Sequence, residues 1–280
     1  MQRSRIAKSL ATHVFLIVFG IILIYPLIWL LFASFKSSSE ILGSISLLPK
    51  KWVWNSYSEG FKGSVQYTYA TFFLNTFKLV IPVVFFTLVS STLVAYGFAR
   101  FNFPFKKPLF ALMISMLMLP NAVIIIPRYI LFRNFGWLNS YLPFIIPAVF
   151  ATAPFFNFMM VQFFRGIPKS LDEAATIDGA GSFQILVRIL VPICKPALFS
   201  AGLFQFMWTW NDFFNELIYI NSVNKFPISL ALRMSIDLDG TVAWNQVIAM
   251  SILAILPCVL IFFFAQKYFV EGIATTGIKG

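Results

Sequence analysis

Hydrophobic residues along this chain gather in long uncharged runs separated by polar loops. A helix needs ~20 apolar residues to cross ~30 Å of hydrocarbon, a solvent in which every backbone polar group must find its partner within the chain. Six runs reach that length, over residues 11–34, 79–98, 108–127, 141–164, 196–220 and 247–266. The fifth is interrupted by Asp212 and Glu216. The pattern predicts an all-α integral membrane protein, with six transmembrane helices forming one transmembrane domain over residues 1–280. A polar loop, 165–195, separates spans four and five.

Composition agrees. Apolar residues make up 59% of the 280 positions and charged ones 11%, too little polar surface to cover a soluble globule of this length. Lysine and arginine number 21 against 10 acidic residues. The basic residues are scattered among loops rather than gathered on one face, so no nucleic-acid partner is expected. Topology is the better use for them. Arg3, Arg5 and Lys8 precede the first span, Arg100, Lys106 and Lys107 follow the second, and Arg165, Lys169, Arg188 and Lys195 flank the fourth and fifth. These ends are expected in the cytoplasm, and with them both termini. Arg128, Arg133, Lys225 and Arg233 sit at the opposite ends, so the bias is modest, and the long loop 36–78 is discounted.

The first run is too long for a signal peptide and is not closed by a small-residue cleavage site, which favours an uncleaved span. Cys194 and Cys258 read as small apolar fillers. The loop after the first span carries Trp52, Trp54 and Tyr57 and is expected to form an external cap with aromatic anchors. The loop 221–245 carries Asp237, Asp239 and Gly240 but lacks the regular oxygen array and late glutamate of a calcium loop, so no metal is expected. Ser90, Ser91, Ala95, Gly97 and Ala99 keep the end of the second span small, suiting it to close central packing.

The loop between spans four and five reads "SLDEAATIDGAGSFQILVRILVP". Ser170 and Glu173 are spaced as a capping box, and Asp172 and Glu173 complement the positive end of a helix. Gly179 and Gly181 can close that helix, and Ser182 can cap a second one running to Pro192. The loop is thus a helix-turn-helix elbow. Its second arm is apolar enough to lie against the ends of the spans. Its first offers a low surface, Ala174 and Ala175, between Glu173 and Asp178. On the residues alone that surface is either an ordinary capped connection or a docking element for another protein.

A second polar constellation lies in span five. Trp208, Asn211, Asp212 and Asn215 recur at i, i+3, i+4 and i+7, which on a continuous helix is one face. Carboxamides, a carboxylate and an indole suit sugar hydroxyls and C–H faces, making this face the candidate translocation pathway. Alternatively, the tryptophans pack or anchor while Asp212 and Glu216 stabilise the external mouth or a subunit interface. Intramembrane carboxylates also admit a proton-coupled secondary carrier. The single histidine, His13, and the lack of clustered ligands or nucleophiles argue against an enzyme.

The elbow resembles the EAA motif of ABC importer permeases: Glu173, Ala174 and Ala175, then Gly179 after three residues, then Ile189, Leu190, Val191 and Pro192 after nine more. Only Val191 departs, standing for leucine. The stretches "SSTLVAYGFARFNFP", "MLPNAVIIIPRYILFRNFGWLNSYLPFIIP", "FMWTWNDFFNELIYI" and "QKYFVEGIATTGIKG" are similar to carbohydrate importer permeases of the maltose type, in particular the shorter partner of their two-permease pairs. The resemblance implies import of sugars, favouring oligosaccharides, with glycerol phosphate or another polar solute as the alternative. It further implies a bacterial or archaeal cytoplasmic membrane, a heterodimer with a second permease, a cytoplasmic ATPase dimer and an external solute-binding protein. Glu173, Ala174, Ala175, Asp178, Gly179 and Gly181 would then form the ATPase-coupling element. No cofactor is implied. The chain has no G-x-x-x-x-G-K-[ST] run and no Gly-Lys pair, so nucleotide phosphates would be held by another chain.

Overall fold

The computed structural model describes residues 2–63, 66–237 and 242–276, with side chains placed for 9–63, 66–236 and 242–266. Every regular element among them is helical. Four helical segments are long and apolar enough to span a membrane, and six if two bent pairs each count as one span.

One compact unit comprises Met1–Ala70 and Leu232–Leu256. In it α1 (Gln2–Ala33) presents its apolar residues on all sides, with none of its most apolar window buried. An all-round apolar helix belongs in lipid or against another chain. Beyond α1 the chain folds into α2 (Ser38–Gly43) and α3 (Ser56–Lys62). Trp52 and Trp54 stack at 5.6 Å, both against Phe35, and the Tyr57 hydroxyl meets Ser34 Oγ at 2.9 Å. The aromatic residues expected as anchors thus form a cluster at the end of α1. Asn245 ties the cap together, accepting from Ser38 Oγ at 2.8 Å and donating to Ser56 Oγ at 3.0 Å.

The other unit comprises Thr71–Ala231 and Pro257–Gly280. Its long element is α4 (Tyr69–Arg100), which exceeds the expected span 79–98. Asn75 and Thr76 add the extra turns because their side chains are used: Asn75 Nδ2 donates to the Asn224 and Phe226 carbonyls, and Thr76 Oγ1 accepts from Ile228 N at 2.9 Å. As its small residues suggested, Ser90, Ser91, Ala95 and Ala99 are buried, and Ser90 Oγ donates to Ala148 O at 2.7 Å. Gly97 is half-buried and has open space beside it.

The third span is not the straight helix expected over 108–127. It divides into α5 (Lys106–Met116) and α6 (Asn121–Asn134), bent by 104°. Pro120 is the cause. It lacks an N–H and forces extended backbone, and it takes the capping position of α6. Pro127 does not end the segment but lies inside α6.

Span four is α7 (Leu142–Val149) and α8 (Pro154–Gly166). Side chains satisfy the carbonyls freed at their junction, Thr152 Oγ1 donating to Pro147 O and the buried Asn157 Nδ2 to Ala151 O, as irregular backbone at membrane depth requires.

The polar loop forms α9 (Ser170–Ile177) and α10 (Ser182–Ile185), the latter continuing through a π turn, Leu186–Leu190, into α11 (Val191–Ile193). A 77° bend at Cys194 leads into α12 (Lys195–Trp210). Span five then breaks at Asn211 and resumes as α13 (Phe213–Tyr219). The final elements are α14 (Ile228–Asp237) and α15 (Trp244–Thr276). Asp239 and Gly240, read as unsuited to calcium, lie outside the described residues, as does the tail beyond Thr276.

Candidate functional site

The elbow is built from its second arm upward. Ile185, Leu186 and Leu190 are buried with Ala95 and Ala99 of α4 and Met160 and Phe164 of α8, so the apolar stripe of "FQILVRIL" anchors the loop on two spans. Ala175 joins the same core at 7% exposure. This corrects the expectation that Ala174 and Ala175 together form an outward surface: Ala174 faces out and Ala175 in. Glu173, Ile177, Asp178 and Gly179 are exposed, Ile177 at 87%, and Phe183 at the start of α10 is 71% exposed.

The capping details also differ from the expected scheme. Ser170 is the first helical residue rather than the cap, since Lys169 holds that position and its carbonyl accepts from Glu173 N. Gly179 takes φ +83°, and Ala180 N donates to Ala175 O at 2.9 Å, the closure of a Schellman motif. Gly181 does not adopt the left-handed conformation. At φ −74°, ψ 161° it caps α10 in place of Ser182, its N–H donating to Gln184 Oε1 at 3.1 Å.

Asp172 is not a solvated helix-end charge. It lies 2.5 Å from Arg100 Nε, while Arg100 Nη1 and Nη2 donate to the Phe164 and Ile167 carbonyls at 2.9 and 3.1 Å. One guanidinium therefore joins the end of α4, the end of α8 and the first turn of α9. Four residues earlier in α4, the Tyr96 hydroxyl donates to Ser182 O at 2.8 Å, fixing the second arm. Sequence reasoning used Arg100 only for topology. The signal available was its place at the end of a span facing a loop that carries three carboxylates.

The span-five constellation is reorganised by the helix break. Asn211 Nδ2 donates back to Met207 O, and Asp212 becomes the cap of α13, Oδ1 accepting from Asn215 N at 3.2 Å. Asn215 Nδ2 also reaches both carboxylate oxygens, at 2.8 and 2.9 Å. The expected single face is therefore absent, because i, i+3, i+4, i+7 spacing shares a face only on an unbroken helix. Trp208, Asn211 and Asp212 line one open cavity of about 620 Å³. Asp212 and Asn215, with Arg128, Gln205, Thr209 and Tyr219, line another of about 160 Å³. Arg128 and Tyr219 were not expected there, since only the α5–α6 bend and the α13 restart bring them together. Trp210 is buried against Phe77 and Phe206, whereas Trp208 rests on Phe155 and Phe156 and is half exposed. Glu216 is fully buried and takes a hydrogen bond from Ser229 Oγ.

Comparison with known proteins fits this architecture. Over residues 90–275 the chain matches the model of the family described as "Binding-protein-dependent transport system inner membrane component". It is 30% identical to the arabinooligosaccharides transport system permease protein AraQ of Bacillus subtilis, over 97% of this chain and 96% of that one. It is 31% identical to the sn-glycerol-3-phosphate transport system permease protein UgpE of Rhizobium meliloti, over 99% of each. Its fold resembles a chain of a bacterial ABC transporter involved in the import of the acidic polysaccharide alginate, with TM-score 0.83, 23% identity and coverage of 95% and 98%. A chain of an alginate transporter in complex with its alginate pentasaccharide-bound periplasmic protein gives TM-score 0.65, with 15% identity and coverage of 94% and 93%. The chain therefore belongs to the family of inner membrane components of binding-protein-dependent transport systems, the permease subunits of ABC importers.

Proposed function

We propose that this permease carries sugars, oligosaccharides above all, across a bacterial or archaeal cytoplasmic membrane by alternating access, as one half of a heterodimer with a second permease. An ATPase dimer docks on the cytoplasmic side, where both termini also lie, and a solute-binding protein delivers sugar from outside. The observation that carries this reading is the elbow. An exposed tip of Glu173, Ala174, Ile177, Asp178 and Gly179 stands on a base locked by Arg100. Ala175 and Gly181 shape the elbow from within, one by burial in its core and the other by capping its second arm. A rigid tip on an anchored base transmits displacement, and the closing ATPase can drive the spans only if its contacts differ in free energy between the inward-open and outward-open states.

Trp208, Asn211, Asp212 and Asn215 remain the candidate translocation pathway, now divided between two cavities that share Asp212. The sugar assignment draws on relatives named for arabinooligosaccharides and for trehalose and maltose. Glycerol phosphate is kept as a second reading because UgpE, at 31% identity, is as similar to the chain as these.

Co-expression with the neighbouring permease, ATPase and binding protein, followed by reconstitution in sealed vesicles, tests the proposal. ATP-dependent uptake of a neutral oligosaccharide is expected only with all partners present. Sugar uptake by this chain alone, or ATPase that co-purifies equally well when the tip is deleted, would overturn it.

A further inference from the structure

The smaller cavity in span five has donors and acceptors that the fold itself leaves unused. Tyr219 is 2% exposed, its ring held edge-on by Phe132 at 5.4 Å and Phe144 at 5.7 Å, yet its buried hydroxyl has no aligned hydrogen-bond partner. Asn215 commits its amide nitrogen to Asp212, and because a carboxylate only accepts, the orientation of this amide is settled. Asn215 Oδ1 is thereby left as a buried acceptor without a partner. Arg128 lines the same cavity. Its guanidinium, a permanent donor with five N–H groups, lies near the Asp212 carboxylate and the Tyr219 hydroxyl and has donors to spare for a solute. Val83, Pro143, Phe144 and Pro147 add apolar wall.

We propose that this cavity is a subsite for one neutral polyhydroxyl ring, a single sugar unit of the transported chain, and that it disfavours anionic solutes. The inference rests on the reading of the protein as a sugar permease and deepens it to a substrate class. Size sets one bound: about 160 Å³ holds roughly five waters at ~30 Å³ each or one small ring in their place, and lies below the ~300–1,000 Å³ of pockets for larger ligands. Chemistry sets the other. A hydroxyl both donates and accepts, so neighbouring hydroxyls on one ring can take a hydrogen bond from Arg128 and Tyr219 and give one to Asn215 Oδ1. A phosphate, sulfonate or carboxylate only accepts. It would leave Asn215 Oδ1 unpaired and would meet the Asp212 carboxylate in a medium where charges interact strongly. An ammonium group would meet Arg128.

The test uses the reconstituted importer with all of its partner chains and radiolabelled maltotriose, arabinotriose, an alginate trisaccharide and glycerol 3-phosphate as probes. Because the binding protein stays the same, a change between wild type and variant reports on the permease. Tyr219→Phe removes only a hydroxyl that lies beside the Arg128 guanidinium and makes no aligned hydrogen bond in the fold. It is expected to leave the melting temperature unchanged or higher while lowering uptake of the preferred neutral sugar at sub-saturating concentration about tenfold. Arg128→Gln, at a half-buried position, should lower uptake in the same direction and gives a second variant should the first fail to assemble. Uptake of neutral sugar that is insensitive to both substitutions overturns the subsite and leaves the sugar permease standing. Preference for the alginate trisaccharide or glycerol 3-phosphate overturns the neutral selectivity. Failure of all four probes in an assembled, ATP-hydrolysing importer overturns the sugar reading itself.

Discussion

Arg100, in the last turn of α4, closes to 2.5 Å on Asp172, in the first turn of α9, with the two side chains 7% and 19% exposed. The same guanidinium holds two carbonyls at the end of α8, so displacement of the elbow moves the ends of two spans with it. Removing one member of a buried pair strands the other. Arg100→Ala is therefore expected to destabilise the protein by about 2 to 3 kcal/mol. Asp172→Asn should cost less, because the arginine keeps its two carbonyls. Thermal unfolding in detergent ranks the two, and equal stability of Arg100→Ala and wild type would show the pair to be incidental.

Gly179 and Gly181 should separate in their response to substitution. Gly179 has φ +83° with nothing within 4 Å of an added Cβ, so a side chain there meets strain and no clash. Gly179→Val is expected to cost about 1 to 2 kcal/mol and to reduce sugar-stimulated ATP hydrolysis, with Gly179→Asn milder because asparagine tolerates the left-handed region. Gly181→Ala, at φ −74°, should be close to neutral. The reverse order in uptake assays would contradict the geometry.

At the tip, Glu173→Lys reverses an exposed charge and opposes the positive helix end, while Ile177→Glu removes an apolar group that is 87% exposed. Both variants should insert and fold normally and lose ATPase in co-purification, Ile177→Glu by about tenfold if it seats in a pocket of the partner. Unchanged ATPase recovery from both would make the elbow a solvated connection.

In span five, Asp212→Asn keeps a capping side chain and should preserve α13, whereas Asp212→Ala loses the cap at a cost of about 1 kcal/mol. Combined with Trp208→Ala, Asp212→Asn is expected to lower transport and shift the preference among sugars while the ATPase stays bound. Loss of assembly as the sole defect would assign these residues to the permease interface.

Much of this protein was legible from pattern alone. Long uncharged runs have one stable form in hydrocarbon, which is why the helical class, the apolar segments and the small-residue packing of Ser91, Ala95 and Ala99 followed from composition and spacing. The elbow was legible for a local reason: carboxylates, glycines and a second apolar arm mark helix ends within a few residues of themselves, and the positive φ of Gly179 is such a local demand. Tertiary structure decided what depends on distant partners. Whether Ala175 faces out or in was set by Ala99 and Phe164, and whether Asp172 was solvated by Arg100. The breaks at Pro120 and Asp212 divided the third span and the already interrupted fifth, Pro120 because it lacks an N–H and Asp212 because its side chain caps the helix that follows. Those breaks gathered Arg128, Asp212, Asn215 and Tyr219 around one cavity, a grouping that no periodicity of the sequence encodes, since it depends on interruptions in two separate runs.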